Sequence, residues 1–176
     1  MSQRNTINYW LVVDTIRIPD AISVITNKKM KVEQAIVLFA GSDFDYLQDK
    51  SPLLLNIGSH SAVLEKWLTL PNFDSSSVIF ELDSRHDGFE FTEYLQSLLQ
   101  VKIDNKACFL RFYTNAFWNQ TASQLNDIDI ATLLGPAQAI HWVDTAHHRQ
   151  TLQYPPQVSE PSQAFNLTSP IFKLWV

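Results

Sequence analysis

The apolar residues of this chain fall into short continuous runs separated by polar turns. Such runs are typical of β-strands that are covered on both faces of a sheet. Turn-forming residues such as Gly41 and Gly58 follow two of the runs. The runs that predict strands are Tyr9–Val13, Ala35–Phe39, Leu53–Ile57, Val78–Leu82 and Ala107–Tyr113.

Other segments carry apolar residues at helical spacing. The clearest set is Phe91, Tyr94, Leu95, Leu98 and Leu99, which recurs at i, i+3, i+4, i+7 and i+8. Weaker stripes follow Pro19 and Gly58, and Ala137–Val143 fits a strand or a helix. Because strands and helices alternate, we predict an α/β fold with a small mixed central sheet flanked by helices.

The composition changes after Asp144. Residues 145–176 are rich in Pro, Ser and Gln, which predicts an extended tail after a compact domain at residues 1–144. The tail ends in an apolar segment that includes Phe172 and Trp175. A segment this apolar is expected to dock, either on the domain or on a partner.

Charge and composition exclude several functional classes. The formal net charge is −5, and no basic cluster extends beyond Lys28–Lys31, so nucleic acid is not an expected partner. No apolar run approaches the roughly 18 residues that span a bilayer. We therefore expect a protein that is not embedded in a membrane. Since the first residues show no signal-peptide pattern, we expect a cytoplasmic location.

The sequence offers no convincing reaction centre. Its four glycines are too dispersed for a dinucleotide or phosphate loop, and its one cysteine, Cys108, excludes a Cys-based zinc site. The spacing of His141, His147 and His148 matches no zinc-ligand pattern. Ser59, which lies beside His60, does not match the nucleophile-elbow pattern. We expect no cofactor, no metal and no catalytic residues.

Two features remain as candidates for a polar pocket or a binding surface. Asp14 and Arg111 are charges at or within apolar strands, so each needs a partner; Asp14, Glu81 and Asp83 are the candidates for Arg111. The pair is either structural or part of a pocket. Phe117 and Trp118 are adjacent and cannot easily face one core together, so one of them can lie on an interface.

The order of these motifs resembles a known family. The motifs that carry the resemblance are Tyr9–Asp14, Val37–Gly41, Ser51–Leu55, Leu110–Tyr113 and Leu133–Pro136, with Trp142 beyond. Their order resembles that in the effector chaperones, or adaptors, of bacterial type VI secretion (domain of unknown function 4123). The resemblance covers about residues 9–143. The chain departs from the family pattern at Thr114–Ala116, where members usually carry Asp-Pro-Arg. Many members also carry a large helical C-terminal lobe, whereas about thirty residues follow Val143 in this sequence.

The resemblance implies a non-enzymatic chaperone that binds a secreted effector and helps to place it on the VgrG–PAAR spike. Two alternatives stay open: an immunity-type or other protein-binding module, and a small hydrolase with a polar pocket around Asp14 and Arg111. The candidate residues for partner binding or a polar pocket are Asp14, Arg111, Tyr113, Phe117, Trp118, Trp142, Phe172 and Trp175.

Overall fold

A computed structural model describes residues 6–158, 160–162 and 164–176. Its centre is a six-stranded sheet. Across the sheet the strands lie in the order β2 (Gln34–Val37), β3 (Leu53–Asn56), β1 (Ile7–Val13), β4 (Ser77–Asp83), β7 (Ala139–Val143) and β8 (Arg149–Gln153). A separate hairpin consists of β5 (Gln100–Ile103) and β6 (Lys106–Phe109).

The helices pack on both faces of this sheet. They are α1 (Ala21–Asn27), α2 (Ala62–Trp67), α3 (Phe73–Ser76), α4 (Gly88–Leu98), α5 (Asn115–Thr121) and α6 (Asp127–Leu134). Short 3-10 helices cover Asp45–Lys50, Ala122–Gln124 and Pro170–Trp175. The predicted α/β class, with helices around a central sheet, is confirmed.

Alternation along the strands divides the interior into two cores. Trp10 and Val12 of β1 face the core under α4, α5 and α6, whereas Leu11 and Val13 face the core under α1, α2 and α3. Because successive side chains of a strand point to opposite faces, a strand covered on both faces must be apolar throughout. This explains the continuous apolar run of β1.

Strand direction differs from the prediction. Every pair of neighbours in the sheet is antiparallel, so the sheet is not mixed. The run Ala107–Tyr113 is also not a strand of the sheet. Its first part forms β6, and a non-strand segment follows Phe109. Leu110 N–H still bonds to the Leu99 carbonyl and so extends the hairpin ladder by one residue; a turn then follows, closed by the Thr114 N–H on the Arg111 carbonyl.

The predicted tail begins with a strand. β8 pairs with β7 from Val143↔Arg149 to Ala139↔Gln153 and forms one edge of the sheet. The last residues then return to the domain. Phe172 is 1% exposed, and Leu167 joins the same core. The apolar end of the chain therefore docks on its own domain through Phe172, whereas Leu174 remains 83% exposed.

Candidate functional site

The Asp14 carboxylate is the buried anchor of the candidate site. Asp14 directly follows β1, and its Oδ2 accepts a 2.9 Å hydrogen bond from Arg111 Nη2. Its Oδ1 accepts from the backbone N–H of Ile16, which closes a turn. Of the three candidate partners for Arg111, the structure selects Asp14. The ion pair joins the end of β1 to the segment after β6.

Arg111 itself is half exposed. Its side chain retains 48% of its accessible surface, while that of Asp14 retains 4%. The guanidinium carbon lies 5.8 Å from the centre of the Tyr113 ring, in cation–π range. Burial raises the pKa of the Tyr113 phenol, and the neighbouring Arg111 partly offsets that rise. Arg111 therefore combines a fixed inner contact with an outer edge that is open to a partner.

A cleft of about 230 Å³ opens beside Arg111. Two of its lining residues are unusually exposed for large apolar side chains, namely Phe109 at 46% and Trp175 at 39%. Thr114 and Gln120 add polar groups to the lining, and Phe117 completes it. We name this feature the Arg111 cleft. It offers apolar walls around one cation, which suits a partner that carries an apolar side chain next to an acidic or carbonyl oxygen.

The C-terminal 3-10 helix builds one wall of the Arg111 cleft. The Phe172 ring stacks on Phe117 with a centroid separation of 6.4 Å, and the Trp175 ring meets Phe117 edge-on at 5.8 Å. Phe117 is therefore an internal bridge between α5 and the end of the chain. Sequence separation hides this contact, because 48 residues lie between the end of α5 at Thr121 and the start of the C-terminal helix at Pro170.

Phe117 lines the Arg111 cleft, so the expectation that either Phe117 or Trp118 lies on an interface stays a prediction, but neither residue presents a freely exposed ring. Both are buried, at 4% and 0% exposure. They diverge on α5 and are covered by different elements. Trp118 stacks on Trp142 at 5.7 Å and donates its indole N–H to the Phe112 carbonyl. Trp118, Trp142 and Phe172 thus contribute packing, and not exposed surface.

A buried carboxylate holds the returning chain in place. Asp129 of α6 is fully buried and accepts hydrogen bonds from the backbone N–H groups of Thr168 and Ser169. The Ser169 hydroxyl also donates to it. Asp129 therefore fixes the segment that immediately precedes the C-terminal helix, and through it the position of Trp175. No local sequence pattern indicates that Asp129 holds this segment.

A second polar constellation crosses three strands. His141 Nε2 lies 2.8 Å from Glu81 Oε1, and His141 Nδ1 lies 2.8 Å from Thr151 Oγ1. The hydrogen bond with His141 lowers the pKa of Glu81, and burial opposes that shift. Neither the Arg111 cleft nor its rim includes these residues. The contact between Glu81 and His141 was not predicted because 60 positions separate the two residues. The register of β4, β7 and β8 brings them together.

Comparison with known proteins adds one decisive observation. The family described as "Domain of unknown function (DUF4123)" matches residues 9–131. The chain belongs to this family. A search of curated proteins and a search of solved structures found no match.

The DUF4123 match ends inside α6. It includes Asp14, Arg111 and Phe117, and it leaves out Trp175 and most of the C-terminal segment. The Arg111 cleft is thus built partly from the family region and partly from residues beyond it.

Among the described residues, no helix combines the length and apolarity needed to cross a bilayer. Within the same residues, no cluster of three or more His, Cys, Asp or Glu side chains could hold a metal ion.

Proposed function

We propose that this DUF4123 protein is a non-enzymatic cytoplasmic chaperone, or adaptor, for an effector of type VI secretion. It binds the effector before export and helps to load it onto the VgrG or PAAR protein of the spike. Membership of the family and the order of motifs along residues 9–143 support the proposal.

The observation that carries the proposal furthest is the Arg111 cleft. Exposed Phe109 and Trp175 flank a half-exposed guanidinium whose inner side is already held by Asp14. Aromatic and arginine side chains are the residues that most often dominate binding energy in protein interfaces. The effector segment that fits is one with an apolar side chain beside an acidic group.

The cleft also suits a complex that must later release its cargo. Arg111 is half exposed, so its contact with a partner is screened by solvent and salt. A short cleft with one cation gives a smaller interface than a permanent one. The effector would be held during storage and exchanged when the spike competes for it.

Co-purification tests the proposal directly. The tagged chain is co-expressed with the protein encoded beside it and, separately, with a VgrG or PAAR protein. We expect a stable complex with the effector and transfer of the effector when the spike protein is added. A complex that persists in excess spike protein would instead indicate an immunity-type module. Capture of neither protein would contradict the proposal.

A further inference from the structure

The lysines of this acidic chain are unevenly placed. A cavity of about 520 Å³ is lined by Lys29, Lys31 and Lys66, together with His60. Three of the eight lysines thus meet in one place, although the net charge of the chain is −5. Glu33 is the one carboxylate among the lining residues. We name this cavity the lysine pocket.

The lysine pocket is rigidly framed at the start of β1. Tyr9 N–H donates to the Gly58 carbonyl, and Ile57 N–H donates back to the Tyr9 carbonyl. Met30 N–H bonds to the Ile25 carbonyl at the end of α1. The backbone that carries the lining residues is therefore fixed before any ligand arrives. The Arg111 cleft lies beyond the opposite end of β1, so the two sites are separate.

The floor of the pocket is apolar and its rim is cationic. Met30, Ile57 and Val63 are buried, at 4%, 2% and 8% exposure. Lysine side chains can cover such a floor with their aliphatic stems while the ammonium groups stay in water. Among the described residues, no ion pair within 4.0 Å involves any of the three lysines. Their charges are available to a ligand.

We propose that the lysine pocket binds a small ligand that carries phosphoryl groups on an aliphatic body. The cavity volume lies in the range of small-molecule sites, about 300–1,000 Å³. Lysine ammonium groups bind phosphate as point charges. Three of them face one carboxylate, Glu33, and this excess of positive charge suits a phosphoryl group with more than one negative charge better than a single carboxylate. The lining includes no Phe, Tyr or Trp ring, and the His60 imidazole is the one lining ring on which a nucleobase could stack, so an aliphatic body is the expected one.

The test is titration of the full chain with inorganic phosphate, inorganic pyrophosphate and hexyl phosphate, monitored by calorimetry and by amide chemical shifts. We expect saturable binding at low salt, with the largest shifts at Gly58 and Ser59. Hexyl phosphate should bind more tightly than inorganic phosphate, because its alkyl chain can cover the apolar floor. Affinity should fall as salt rises.

The variant is Lys29→Gln/Lys31→Gln/Lys66→Gln, and the matched control is Lys102→Gln/Lys106→Gln on the β5–β6 hairpin. The triple variant should weaken pyrophosphate binding roughly tenfold or more, because several charge contacts are lost together, while the control stays within about twofold. Equal binding by both variants, saturation with shifts elsewhere, or no saturation in the wild-type chain would overturn the proposal. Circular dichroism confirms that the variants fold.

Vesicles that contain phosphatidic acid separate two sources of the phosphoryl group. Binding of hexyl phosphate without vesicle binding assigns a soluble ligand, and lysine-dependent binding of both assigns a lipid headgroup. Vesicle binding that survives in the triple variant would count against the pocket.

Discussion

Arg111 donates a 2.9 Å hydrogen bond to Asp14 across 97 positions of sequence, and this contact joins the two segments that carry the candidate site. Asp14 is almost completely buried, whereas Arg111 is half exposed. The same arginine therefore stabilises the fold on one side and faces the cleft on the other.

Removing the Asp14 carboxylate should destabilise the chain. Asp14→Ala removes the partner of Arg111 and the acceptor for the Ile16 N–H, and we expect a loss of about 2–3 kcal/mol in urea unfolding. Asp14→Asn can keep the turn through its amide oxygen, so its loss should be about 1 kcal/mol. Equal losses for the two variants would contradict the separate roles of the two carboxylate oxygens.

Asp129 should control the docking of the C-terminal helix. Asp129→Ala leaves the Thr168 and Ser169 N–H groups without their acceptor, so we expect destabilisation by about 2–4 kcal/mol and faster hydrogen exchange around residues 166–175. Asp127→Ala is the matched control, because Asp127 lies exposed in the first turn of the same helix. If exchange in this segment is equally slow in both variants, Asp129 does not hold it.

The Glu81–His141 contact should make stability depend on acid pH. Glu81 has its pKa lowered below the ordinary value of 4.5 in the folded state. Its contribution is present above pH 4.5 and is lost as the pH falls through the folded pKa. We expect Glu81→Gln to flatten this part of the stability profile, measured by urea unfolding between pH 6 and pH 3. Glu90→Gln, at an exposed position, should leave the profile unchanged.

Gly135 should tolerate no side chain. Its φ is +57°, and a Cβ at this position would overlap the Tyr94 ring. Gly135→Ala should cost more than about 2 kcal/mol, from backbone strain together with overpacking. Gly41→Ala is the control, because Gly41 also has a positive φ, +73°, but nothing lies within 4 Å of the added Cβ. It should cost about 1 kcal/mol. Thermal unfolding that fails to separate the two variants would contradict the steric account.

The strands and helices that the sequence predicts correctly are those in which the spacing of apolar residues follows the buried faces. The run of β1 and the i, i+3, i+4 stripe of α4 are examples, since each reports directly which faces are covered. β8 escaped prediction because an exposed edge strand of sequence Arg-Gln-Thr-Leu-Gln has no apolar face to reveal it. β6 was merged with the segment that follows it because the run of apolar residues continues through Leu110, Phe112 and Tyr113, beyond the end of the strand.

The candidate site was predictable only in part. Charges inside apolar runs indicated Asp14 and Arg111, because a buried charge needs a partner wherever it lies. Two further contacts could not be predicted: the hydrogen bonds of Asp129 with Thr168 and Ser169, and the packing of Trp175 on Phe117. Both depend on the path by which the end of the chain folds back onto the domain, and no local sequence pattern indicates that path. The Glu81–His141–Thr151 constellation depends on strand register in the same way.

The most direct test of the chaperone proposal is the affinity of the purified chain for its effector, measured by calorimetry for Phe109→Ala and Trp175→Ala. The matched control is Phe89→Ala, a 64% exposed phenylalanine outside the Arg111 cleft. If the cleft holds the effector, each cleft variant should weaken binding by at least about tenfold, while the control binds like the wild-type chain. Unchanged affinity in both cleft variants, with folding intact, would contradict the account.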